Sequence, residues 1–482
     1  MRKSVLLLFA RQVFGTALKN KAVAALLLLT TALLIYATYS GIAIYQQQTH
    51  SRQLYQREVR EHWENMPDKH PHRMAHYGYI AFRVKHPLSF FDFGMESYTG
   101  NAVFLEAHRQ NSINFSEAGF STGMLRFGEI SIAMILQVLL PLVIFFIGFS
   151  TVAADRENGT LKILLSQGTS WKEIIFGKAL GLLGIALSVL LPVILLLIIS
   201  CLIFPEKKYM ADNGWRITWL ALSYIAYAGI VSLVAVLLSA VNKTAKGALV
   251  SLIGVWLLFT IIMPRTAQAM GNYLHATPSR IEFETAIEKD LIKKGDSHDP
   301  NDPYYKALKD SILKAYKVDS VQQLPFNYSG FQMKEGEKVS AMIYNQHLFA
   351  LLQKYRQQND VSRLSAFLNP FAALRDISMA MSGTDFQSYI QFQQQAEAYR
   401  YRLAQHMNDL QIKLISNKKP GEHDKPYSIS SDHWKAFPDF EFERTSQVCV
   451  LMHETPALAA LFCWLTALVV TTVILSKKLK AL

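Results

Sequence analysis

Six histidines fall between positions 50 and 86 of the 482-residue chain: His50, His62, His70, His72, His76 and His86. His70, His72 and His76 stand at alternating and i,i+4 spacings, and imidazoles gathered in that way can hold Zn²⁺ or Cu²⁺. No cysteine accompanies them and the spacing fits no fixed metal motif. A polar loop also collects histidines without binding anything, so they are weak candidates and no metal is assigned. Other chemistries lack their residues. Gly177-Lys178 is followed by Ala179, so there is no P-loop to hold ATP. His453-Glu454 runs on into Thr455 and Pro456 rather than completing H-E-x-x-H, and no G-x-S-x-G occurs. Cys201, Cys449 and Cys463 give no disulfide framework. The chain is expected to be no enzyme, with no catalytic residue and no cofactor.

The elements that would position such residues are read from hydropathy. Hydrophobic residues make up 51% and charged residues 18%, which mixes membrane spans with sizeable aqueous parts. Six stretches contain an uncharged run of the length that crosses a bilayer, about 17–25 residues. They are 22–45, 130–154, 174–204, 217–241, 247–263 and 456–476. The first is too long for a signal-peptide core and no small-residue cleavage site follows it, so it should remain as an anchor. The expected fold is an all-α membrane protein of six transmembrane helices. A large, mainly helical extracytoplasmic domain (264–455) lies between the fifth and sixth, and a smaller one (46–129) between the first and second.

Charge orients the spans. Residues 1–21, 155–178, 242–246 and 477–482 carry 14 Lys/Arg against three acids, Asp155, Glu157 and Glu173, a net of +11. Residues 46–129 and 264–455 hold 9 basic against 9 acidic and 23 against 23, so both net zero. Almost all of the +12 total lies on one set of alternating loops, which the positive-inside rule puts in the cytoplasm. That accounts for the basic balance without nucleic acid. Both termini are expected inside, with 477–482 as a cytoplasmic tail.

Within this frame, residues 1–21 interleave Leu6, Leu7, Phe9, Val13, Phe14 and Leu18 with basic residues, as a helix lying along the inner leaflet does. After Tyr45 the helix should run on until Pro67; the rest of 46–129 shows no clear period. Pro141 and Pro192 can kink their spans, as hinges or as fixed packing features. Lys178 is expected to snorkel to the interface. Ser279-Arg280-Ile281-Glu282 is a capping box heading a helix to about Lys294. Further helices are expected over Tyr304–Lys317, Lys338–Asn359 and, capped by Asp385, Phe386–Ile415. The four helices and balanced charge of 279–442 suggest a part that folds alone.

One polar stretch between spans is unusual. Residues 155–173 open Asp155-Arg156-Glu157-Asn158-Gly159-Thr160-Leu161-Lys162-Ile163-Leu164-Leu165-Ser166-Gln167-Gly168. A short helix from about Gly159 to Ser166 would turn Leu161, Ile163, Leu164 and Leu165 toward another surface, with Gly168 to end it. Ser170-Trp171-Lys172-Glu173 is a capping box for the next span. This stretch resembles the cytoplasmic coupling segment of ABC-2 type transporter permeases; the local residues also suit an amphipathic loop packed on its own bundle. Leu368-Asn369-Pro370-Phe371, Gly383-Thr384-Asp385, Gln391-Phe392 and Ala396 to Arg400 resemble the large outer domain of one ABC-2 permease subfamily, a domain of unknown function. Arg156 interrupts the acidic pair, and Gly168 stands where proline is common.

The resemblance implies a permease subunit of the bacterial inner membrane. Its partners would be a separate ABC ATP-binding subunit, a second permease copy and the lipid bilayer. Asp155, Glu157, Gly159, Thr160, Leu161, Leu164 and Leu165 would couple it to the ATPase, with Leu161 and Leu164 filling the partner's groove and Gly159 allowing close approach. Three functions stay open: exporter permease, ATP-driven extractor of membrane-embedded molecules, and non-transporting scaffold or sensor.

Overall fold

A computed structural model describes residues 1–108, 110, 130–203, 210–295, 297, 299, 301–418 and 427–479. Its α-helices of five residues or more, in chain order, are α1 (Lys3–Lys19), α2 (Lys21–Glu64), α3 (Pro71–Ala75), α4 (Leu140–Gly148), α5 (Ala153–Glu157), α6 (Thr160–Ser166), α7 (Trp171–Ile203) and α8 (Met210–Val241). They continue with α9 (Ala245–Leu257), α10 (Met263–Leu274), α11 (Arg280–Lys294), α12 (Pro303–Tyr316), α13 (Tyr328–Leu364), α14 (Pro370–Ser382), α15 (Phe386–Leu414) and α16 (Gln447–Lys478).

Among the described residues, six helical stretches are long and apolar enough to cross a membrane: Lys21–Glu64, Ile132–Glu157, Trp171–Leu202, Asp212–Val241, Ala245–Leu274 and Gln447–Lys478. Several are longer than their apolar runs. The fifth runs eleven residues past Met263, and the sixth begins nine before Pro456 and passes through it.

Prolines explain the irregular turns. A π turn at Ile135–Leu139 precedes Pro141, and another at Leu258–Ile262 precedes Pro264. Proline has no N–H and crowds the carbonyl four residues back, so the ladder shifts there. Neighbouring helices take up the freed carbonyls: the Tyr227 hydroxyl donates to Gln137 O at 3.3 Å, and Trp256 Nε1 to Val138 O at 2.9 Å. Pro141 is thus held in a pinned kink, whereas Pro192 lies inside the unbroken α7.

The expected N-terminal helix forms, but its apolar face is buried on protein. Phe9, Val13 and Ala17 are buried, and α1 runs alongside α7. A Cβ added at Gly177 would meet Leu6 O at 2.9 Å, and one at Gly181 would meet Ala10 O at 2.7 Å. The two glycines, four apart, form the notch that lets the backbones approach.

The all-α expectation needs one correction. Strands β1 (Tyr79–Phe82) and β2 (Ala102–Leu105) pair antiparallel in a two-stranded sheet. The third expected domain helix, Lys338–Asn359, starts ten residues earlier, at Tyr328. It includes Gly330 and Gly336 because the chain passes close by: a Cβ at Gly330 would lie 3.0 Å from Ile412 N, and one at Gly336 2.6 Å from Ser297 Oγ.

The core is shared between distant parts of the sequence. Trp63, Met74, Tyr79, Val103 and Leu105 pack in one cluster with Phe392, Tyr399, Leu403, Met407 and Trp434. Helix α14 is buried along its length in the cluster that holds the spans, through Phe371, Leu374, Ile377 and Met381. The expectation that 279–442 has a core of its own is therefore corrected. It borrows one core from 63–107 and another from the spans.

Candidate functional site

The segment between α4 and α7 is built by local capping. Gly159 takes φ +78° and Gly168 φ +76°, both left-handed, so α6 is bracketed by two glycines whose backbones a side chain would strain. Gly168 N–H donates to Leu165 O at 3.1 Å and Thr169 N–H to Leu164 O at 3.2 Å, which closes α6 as a Schellman motif. No atom lies within 4 Å of a Cβ added at Gly159, so within this chain its role is the turn and not a close approach. The capping box is present: Ser170 N–H donates to Glu173 Oε2 at 3.0 Å, and Glu173 N–H to Ser170 Oγ at 3.3 Å.

This segment is fastened to four helices, α1, α7, α8 and α9. The turn entering α5 is held by Ser239 of α8, whose Oγ accepts from Val152 and Ala153 N–H at 3.0 Å each. Asp155 pairs with Lys178 of α7. Lys178 is 3% exposed and turned onto Asp155 and Thr151 O, so the expected snorkelling is replaced by an internal ion pair. Arg156 donates to the carbonyls of Ala240 (2.6 Å) and Asn242 at the end of α8. Glu157 Oε1 accepts from Ala245 N–H at 3.1 Å, at the start of α9. Arg2, just before α1, donates from Nε to Glu173 Oε1 at 3.1 Å and from Nη2 to Glu173 Oε2 at 3.0 Å, and reaches Gly168 O at 2.7 Å.

On α6 itself the faces differ from the expectation. Leu161 is 0% exposed and belongs to the chain's own core, so it cannot fill a groove on another protein. Leu164 and Leu165 are half-buried, and Thr160 and Lys162 are exposed. The outward apolar residue is Ile163, 57% exposed, one of the four residues expected to face another surface but not among those expected to couple the ATPase. A helix this short has no period long enough to say which leucine points in.

The polar domain carries two further features. His70 is a cap, its Nδ1 accepting from His72 N–H at 3.2 Å, and His86 caps the next turn, its Nδ1 accepting from Leu88 N–H at 3.1 Å. His50 and His62 are exposed on α2. His72 and His76 do come together, and His108 joins them, with one ring nitrogen from each all within 4.8 Å of one another. Separately, a groove of about 680 Å³ runs between α2 and β1, lined by Ile44, Tyr55, Val59 and Phe82 with Arg52 and Glu58.

The quoted domain residues have structural roles. Asn369 Oδ1 accepts from Phe371 N–H at 3.1 Å, and its Nδ2 donates to Phe259 O at 2.8 Å in the second π turn. Gly383, at φ +68°, ends α14. Asp385 Oδ2 accepts from Gln387 and Ser388 N–H to start α15. Arg400, 1% exposed, lies 2.7 Å from both Glu337 Oε1 and Glu397 Oε2.

Residues 280–443 match the family model described as Domain of unknown function (DUF3526). The match lies inside the 264–455 stretch. No curated protein matches the chain.

Proposed function

We propose that the chain is the membrane-spanning permease subunit of an ATP-driven ABC transporter, of the ABC-2 type that its sequence resembles. It works as an exporter, paired with a second permease copy and served by a separate ATP-binding subunit. Its seat is the bacterial inner membrane, with both termini and α6 in the cytoplasm. The observation that carries this reading is the fastening of the α5–α6 segment to four other helices. A push on Ile163 and the half-buried Leu164 and Leu165 would reach α7 through Asp155–Lys178, α8 through Arg156 and Ser239, α9 through Glu157, and α1 through Arg2–Glu173. The groove between α2 and β1 mixes apolar with charged walls, which suits an amphipathic cargo.

The test is to co-express the chain with an ATP-binding subunit encoded by a neighbouring gene. The permease should co-purify with that subunit and raise its ATP hydrolysis. An ATPase that neither binds the folded chain nor responds to it would leave the scaffold reading instead.

A further inference from the structure

The histidine cluster has the construction of a metal site. His72 lies on α3 and His76 caps its end, so the two share a face one turn apart. Met74 and Ala75 between them are buried in the shared core, which fixes α3 in place. Ala107 N–H donates to Ala75 O at 3.2 Å, and this bond sets the end of β2 beside α3. The next residue, His108, takes the left-handed φ of +63°, unusual for any residue but glycine, and so turns its ring toward the other two. Ring centroids are 4.7 Å apart for His72 and His76, 5.5 Å for His72 and His108, and 5.2 Å for His76 and His108.

What distinguishes this from a chance cluster is the group behind His108. Its Nδ1 lies 3.0 Å from Glu337 Oε2, and its backbone N–H donates to the same oxygen at 3.0 Å. Glu337 is 0% exposed on α13, with its other oxygen 2.7 Å from Arg400. A carboxylate accepting from Nδ1–H selects the tautomer whose lone pair is on Nε2. That is the carboxylate–histidine support that orients metal ligands.

We propose that His72, His76 and His108 bind a divalent late first-row cation, Zn²⁺ first among them, with Glu337 positioning His108. Three neutral imidazoles with one place left for water suit tetrahedral zinc. Zn–N bonds of about 2.0–2.1 Å put the donors about 3.3 Å apart, a closure that small rotations of half-exposed rings can supply. The ion would staple α3 and β2 to α13, and so bind the two polar segments of the chain across their shared core.

The test uses the full-length chain in detergent, without a histidine tag and stripped with EDTA. Co²⁺ titration should give the visible absorption of a tetrahedral nitrogen-coordinated ion, and Zn²⁺ should abolish it. His76→Gln, at an exposed ring, should bind at least tenfold more weakly with an unchanged melt in EDTA. Glu337→Gln should keep the band and lose about 10–100-fold in affinity. Zinc should raise the Tm of the parent chain and leave that of His76→Gln unmoved. Absence of the cobalt band in the parent chain, or equal titrations for it and His76→Gln, would overturn the proposal. If Glu337→Gln fails to fold, His76→Gln decides the matter alone.

Discussion

Leu161 and Ile163 are two residues apart on α6 and answer to different surfaces. Leu161 is fully buried in the bundle, so Leu161→Ala should cost about 2–5 kcal/mol of stability, as large-to-small core changes do. Its expected phenotype is lower folded yield and a lower melting temperature. Ile163→Ala removes an exposed side chain and should leave yield and melt unchanged while weakening capture of the ATP-binding subunit by about 1–3 kcal/mol. Equal capture by folded Ile163→Ala would show that this face is not the contact. The short helix, its glycine stop and its capping box were legible because each depends on neighbours within five residues. The inward leucine and the fasteners Arg2, Lys178 and Ser239 were not, since each is a contact across the bundle.

Asp376 on α14 offers a second residue-level test. Burial raises its pKa from 3.8 to about 6, with the nearby Glu454 charge adding to it and Arg375 and Arg363 opposing. A carboxyl raised on folding favours the protonated form. The stability it contributes is full below pH 4 and is lost as pH rises through about 6. The change should be on the order of 2 kcal/mol. Melting temperatures across pH 4–7 should show this slope in the parent chain and a flatter one in Asp376→Asn; identical slopes would assign it to other groups.

Among the elements, those with a local signature were readable. The capped helices α11 and α15 follow from Ser279 and Asp385, and α12 begins one residue before the expected Tyr304, at Pro303 behind its cap Asp302. Helix α13 begins ten residues before the expected Lys338 and takes in Gly330 and Gly336, whose close neighbours Ile412 and Ser297 are distant in sequence. The β1–β2 pair was hidden because its strands are four residues each and are joined across nineteen residues. The shared core was hidden for the same reason, since Trp63 and Trp434 meet only in three dimensions: Trp63 Nε1 donates to Trp434 O at 3.1 Å. A fragment of 279–442 would expose the faces of Phe392, Tyr399, Met407 and Trp434 that the 63–107 segment covers. Expressed alone, it should show helical circular dichroism without a cooperative melt. A sharp two-state melt would show that the core can be divided.

At the scale of the whole molecule, the apolar runs foretold the six long helices, and the proposed orientation rests on charge. The basic residues beside the short connections would face the cytoplasm, where the positive-inside rule puts them, and the charge-balanced parts would lie across the bilayer. The contacts are consistent with that division. Arg2, Asp155, Arg156, Glu157 and Lys178 interlock at one end of the bundle, while the joint core of 63–107 and 392–440 gathers the two balanced segments into one body. Had these two segments lain on opposite sides of a membrane, they could not share a core. The structure thus ties their sidedness together, and a single labelled site in either part reports on both. The test begins from a chain with Cys201, Cys449 and Cys463 replaced. Single cysteines at the exposed Lys314 and Lys418 should react with a membrane-impermeant maleimide in intact cells. One at the exposed Lys246, beside the Glu157 contact, should react only after the membrane is opened. Labelling of Lys246→Cys alone in intact cells would invert the molecule. It would place α6 outside, out of reach of ATP, and end the permease reading.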